Sequence, residues 1–123
     1  MANLNIVSVA SILAGTTASL PANTTAFYII TNAASSGTVV KVNNVVISNT
    51  SNGAAFANVF FNSAAVGAGT NIPVIQSVSI PANASLIAID KSTSIYLTEN
   101  TSLVVQSATS NALAFSTSFE TLS

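Results

Sequence analysis

Val104-Val105-Gln106-Ser107-Ala108-Thr109-Ser110-Asn111-Ala112-Leu113-Ala114-Phe115-Ser116-Thr117-Ser118-Phe119-Glu120 is the stretch that decides the fold. From Leu113 onward, Leu113, Phe115, Thr117 and Phe119 alternate with Ala114, Ser116, Ser118 and Glu120. A period of two is that of a strand with one buried face, because successive side chains point to opposite sides of the pleat. The same alternation recurs in Thr25–Ile30, in Val39–Ser48 and in Phe56–Phe61. β-Branched and aromatic residues are enriched in these runs, Glu, Lys, Arg and Gln are nearly absent, and no 3.6-residue apolar stripe of useful length appears.

Turn signals separate the runs: Gly15-Thr16, Leu20–Asn23, Ser35-Ser36-Gly37, Ser51-Asn52-Gly53, Gly67-Ala68-Gly69, Pro81-Ala82-Asn83, Glu99-Asn100-Thr101 and Ser110-Asn111. Asn52-Gly53 is a good candidate for a tight hairpin, since both residues tolerate positive φ. The spacing predicts about eight strands, near 5–12, 24–31, 38–48, 54–61, 74–80, 85–90, 94–106 (split by the Glu99–Thr101 turn) and 112–120. Short strands at this spacing predict an all-β fold, an antiparallel β-sandwich of the jelly-roll type or a related Greek key, in a single domain over 1–123.

The opening stretch also has a partner earlier in the chain. Val45–Phe60 and Val104–Phe119 are identical at nine of sixteen positions, and Ser19-Leu20-Pro21-Ala22-Asn23 matches Ser79-Ile80-Pro81-Ala82-Asn83. The offsets are 59 and 60 residues, which points to an internal duplication with halves at about 19–60 and 79–119.

Composition narrows the function. Half of the 123 residues are hydrophobic, so a core can form, yet only 4% are charged against about a quarter in a typical soluble domain. The charges are Lys41, Asp90, Lys91, Glu99 and Glu120, and there is no His, Cys or Trp. General acid–base catalysis, metal ligation and phosphate binding all draw on the missing residue types, so no catalytic, cofactor-binding or metal site is expected, and no cofactor. Two basic residues give no nucleic-acid footprint. Mean hydropathy is +0.65, but no run approaches ~18 apolar residues and girdling aromatics are scarce, so no membrane partner is expected. The apolar opening segment lacks a preceding Lys or Arg, so no secretory signal is expected.

Individual candidates are weak. Asp90 and Glu99 are the only carboxylates close in sequence, but one precedes Lys91 and the other sits in a turn signal, which suits exposed loop charges better than a glycosidase pair. Lys41 lies between Val40 and Val42, as expected of a lysine blocking an edge strand. Tyr28 and Tyr96 stand alone in strand patterns, and Gly67-Ala68-Gly69 lacks the Lys of a phosphate loop. Four Asn-x-Ser/Thr sequons are what 14 Asn and 33 Ser or Thr in 123 residues give by chance.

Ala10–Ala18, Ile30–Val42 and Ile89–Leu103 resemble small virion structural proteins of tailed phages, especially those infecting marine cyanobacteria. Such proteins carry a Gly-Asp near the position of Asn100-Thr101, and this chain departs from them there. The resemblance implies a non-enzymatic accessory or decoration subunit of the capsid, neck or tail, located in the virion. Its partners would be other virion proteins and further copies of itself. A fimbrial or adhesive-fibre subunit assembled by strand exchange, with Met1–Ser11 as the detachable strand, is the alternative, and a carbohydrate-binding module ranks third.

Overall fold

A computed structural model of the chain describes residues 8–123. Among the described residues nine strands follow one another: β1 (Ile12–Ser19), β2 (Phe27–Asn32), β3 (Val39–Asn49), β4 (Ala55–Asn62), β5 (Asn71–Ile80), β6 (Ser85–Ile89), β7 (Ile95–Leu97), β8 (Thr101–Ser107) and β9 (Leu113–Leu122). All pairings are antiparallel. Sheet one has the order β1-β9-β3-β6, with β7 also pairing β3, and sheet two has the order β2-β8-β4-β5. This is the double Greek-key order of a jelly roll, so the all-β sandwich expected from the alternation is the fold.

The inner faces carry the expected large side chains. Val42, Val45, Ile47, Leu113 and Phe115 from sheet one meet Ala57, Val59, Leu103 and Val105 from sheet two, all at 0% exposure. Phe115 stands edge-on to Phe27 at 6.2 Å between ring centroids, locking the two layers together. At about 1.5–3 kcal/mol for each large side chain buried, this cluster supplies the main stabilisation without metal or disulfide.

Three expectations need correction. The first described strand lies at Ile12–Ser19 rather than near 5–12, and Gly15-Thr16 is inside it; residues 5–7 of the expected strand lie outside the described residues. Gly15 serves a close approach instead of a turn, because a Cβ there would sit 2.5 Å from the Phe119 ring. Asn52-Gly53 closes no hairpin: β3 and β4 belong to different sheets, and neither residue has positive φ. The chain turns that corner on Asn49, whose side chain ties both strand ends. Finally, Lys41 is not on an edge, since β3 pairs β9 on one side and β6 and β7 on the other.

The matched segments occupy related places. Exchanging β1 with β5, β2 with β6, β3 with β8 and β4 with β9 turns the strand order of sheet one into that of sheet two, with β7 left over. Facing, however, is inverted. Phe115 is fully buried while its sequence match Phe56 is 47% exposed, and Ile80 is buried while its match Leu20 is 51% exposed. A shift of one residue sends every side chain of a strand to the other face, so the likeness in sequence is out of phase with the likeness in topology.

Candidate functional site: outer faces, free edges and a charged groove

The polar residues first do structural work. β2, β3 and β4 end in Asn32, Asn49 and Asn62, each at most 3% exposed. Asn49 Nδ2 donates to the carbonyls of Gly53 and Ile80, and its Oδ1 accepts from the Ser51 amide and hydroxyl. Asn62 binds Gly69 O and Asn71 Oδ1 through Nδ2, and the amides of Ala64 and Gly69 through Oδ1. Asn32 likewise donates to Thr38 O and Leu97 O and accepts from Ser36 and Thr38 hydroxyls. Each buried amide thus fills its hydrogen-bonding capacity and pins the loop that follows its strand.

The loop after β4 is held still further. The amides of Ala65, Val66 and Gly67 donate to Asn100 Oδ1, Thr31 Oγ1 and Ser102 Oγ in turn. Val66 is thereby kept at φ 52, a conformation that a β-branched residue resists. The Gly67-Ala68-Gly69 stretch lies in this folded-back loop and covers part of sheet two beside Val104 and Tyr28. In the turn between β7 and β8, Asn100 takes φ 59.

Among the described residues five strands border the two sheets, β6 and β7 sharing one edge. β5 is blunted by Pro73, two register shifts and Ser77 at φ 52; β2 and β6 each carry a register shift, and β7 has three residues. β1 is different. It pairs β9 without interruption from Ile12↔Leu122 to Ser19↔Phe115, it holds no Pro and no charge, and its other side is unpaired among the described residues. Ile12 and Leu13 at its start are 60% and 64% exposed. An edge so regular and so bare is a template for another strand.

The charges, scattered in sequence, converge in space. Lys41, Asp90, Lys91 and Glu120 line one open groove of about 610 Å³ over sheet one. Lys41 lies across the ladder from Glu120 on one side and Tyr96 on the other. A register shift between Val42 and Asn44 opens β3 there; Asn43 Nδ2 donates to Glu120 Oε1 at 3.2 Å, and Asn44 Oδ1 accepts from the Ser118 amide. Asp90 caps the 3-10 turn Lys91–Thr93, and its Oδ1 accepts from the Ser92 hydroxyl and from the amides of Ser92 and Thr93. The Ser92 hydroxyl is the largest cause holding this carboxyl below its ordinary value, opposed by partial desolvation and aided by those amides and the Thr93 hydroxyl.

Glu99 goes elsewhere: its Oε2 accepts from the Gly37 amide at 2.6 Å. Asp90 and Glu99 are therefore held by two separate turns. Tyr28 and Tyr96 stand outward, 46% and 42% exposed. Sequence reasoning could not assemble the groove, because its four charges are 29 to 79 positions apart except for the Asp90-Lys91 neighbours. Among the described residues no three His, Cys, Asp or Glu cluster, and no helix is long and apolar enough to cross a membrane.

No protein-family model matches the chain, and no curated protein matches it. Among solved structures it is similar to a chain of the Bacillus endospore appendages, described as a novel family of disulfide-linked pili. The TM-score is 0.50 at 15% identity, over 91% of this chain and 87% of that one. A chain of infectious bursal disease virus, Gx strain, matches with a TM-score of 0.43 at 11% identity over 91% of this chain and 31% of its own. The first likeness is one of fold.

Proposed function

We propose that this chain is a non-enzymatic structural subunit that repeats in a large assembly, a virion or an extracellular fibre. The observation that carries the reading is the neutrality of its outer surfaces: apart from the groove and Glu99, the exposed strands present Ala, Ser, Thr, Asn and apolar groups. Such surfaces pack against neighbours without the desolvation cost of charges. A net charge of −1 adds little repulsion between copies.

The finer reading, an accessory subunit of a tailed-phage capsid, neck or tail, is supported by the resemblance of Ala10–Ala18, Ile30–Val42 and Ile89–Leu103. The second reading, a fibre subunit joined by strand addition, is favoured by the bare edge of β1. The similar pili are described as disulfide-linked; with no cysteine, this chain would hold its neighbours by non-covalent contacts alone.

Electron microscopy and sedimentation velocity of three forms separate the readings: the full chain, a deletion of residues 1–11, and the double variant Ile12→Lys/Leu13→Lys. A fibre subunit polymerises as the full chain, and both altered forms stay monomeric with an unchanged thermal midpoint. A decoration subunit stays small in all three forms and binds purified particles in a fixed ratio. A chain that neither polymerises nor binds particles contradicts the structural role itself.

A further inference from the structure

We propose that the charged groove over sheet one binds a neutral carbohydrate, which would give the structural subunit an adhesive face. The first ground is economy of charge. A chain that dispenses with charge almost everywhere brings four of its five charged residues, from three distant parts of the sequence, to one groove. The fifth, Glu99, lies outside the groove, with Oε2 on the Gly37 amide and Oε1 buried without a partner.

The second ground is the state of these groups. Glu120 Oε1 is held by Asn43, and Asp90 Oδ1 by Ser92 and Thr93. Among the described residues, the second oxygen of each carboxylate accepts nothing. The ammonium groups of Lys41 and Lys91 donate nothing, and the Asn44 side-chain NH2 group is likewise free of protein partners. Half of each carboxylate is anchored by the protein and the other half is available, as preorganised binding requires.

The third ground is balance. Two carboxylates and two ammonium groups sum to zero, so an anion would meet the carboxylates and a cation the lysines. A hydroxyl group suits both, since it donates to a carboxylate and accepts from an ammonium, and the amides of Asn43 and Asn44 do either. Ile87, 61% exposed, lies across the ladder from Val46 and supplies an apolar wall. The volume of about 610 Å³ lies in the range of small-ligand sites.

The test is retention of the full chain on immobilised mannosides, glucosides, galactosides and N-acetylglucosamine, beside sialylated and sulfated glycans. The expected result is retention on at least one neutral glycan, reversed by the free sugar at ~1–10 mM, with weaker retention on the acidic glycans. Glu120→Gln and Lys91→Ala each weaken it at least tenfold while thermal midpoint and sedimentation stay as in the parent; Lys91→Ala touches no protein hydrogen bond. Failure to bind any neutral glycan, preference for acidic glycans, or binding indifferent to both substitutions overturns the proposal. So does loss of self-association in the same variants, which would assign the groove to a second copy. Assembly is read separately by sedimentation, so sugar binding can fail while the structural reading stands.

Discussion

The asparagines do the work that charge and disulfides do in other small domains. Asn49 ties Gly53 and Ile80 to the end of β3, so Asn49→Ala leaves two carbonyls and the Ser51 amide without their partner. A loss of about 2–4 kcal/mol is expected, since several buried groups lose their bonds together; the urea midpoint at constant m-value measures it. Thr117 runs the other way: its hydroxyl is buried without a partner, and Thr117→Val should raise stability by about 1 kcal/mol in the same assay. In sequence, Asn49 falls between the strand expected to end at 48 and the turn signal Ser51-Asn52-Gly53, and Thr117 is one more member of an alternation. The alternation correctly placed Thr117 inside; nothing local distinguishes an amide that turns inward at a strand end from one left in water. Asp90 carries the pH dependence. Its carboxyl is held below the usual value in the folded chain, so the stability it adds is present above the unfolded value near 3.8 and is lost as pH falls through the lower folded value. Amide signals of Ser92 and Thr93 should shift only below about pH 4, and Asp90→Asn should abolish that shift.

At the scale of elements, strand identity was legible wherever a period of two met a buried face, as in β9, β4 and β3. It failed at β1, because one sheet covers only one side of Ile12–Ser19 and glycine there looked like punctuation. Gly15 is in fact the space into which Phe119 fits. Gly15→Ala should cost about 1–3 kcal/mol by displacing that ring, through overpacking, and loosened pairing of β1 with β9 should appear as faster amide exchange in Ile12–Ser19. The corner at Asn52-Gly53 was misread for a related reason. A tight hairpin and a jump between sheets use the same small polar residues, and only the facing of Val45, Ile47 and Asn49 against Ala55 and Ala57 tells them apart.

For the whole molecule, the strand order maps onto itself under an exchange of halves, while matched residues such as Phe56 and Phe115 face opposite ways. A duplication followed by a one-residue slip of facing is the history we propose for it. The groove lay beyond the reach of sequence, because the ladder Glu120–Lys41–Tyr96 exists only once β9, β3 and β7 pair. Neutral contacts between subunits lead to a physical expectation, since screening at ~1 M salt shrinks the reach of charge to about 3 Å. The most direct measurement is the copy number of the chain in purified particles or fibres, by quantitative mass spectrometry before and after a ~1 M salt wash. The structural account predicts tens of copies or more per assembly, held at the same number through the wash; a chain found free of any assembly, or released wholesale by salt, contradicts it.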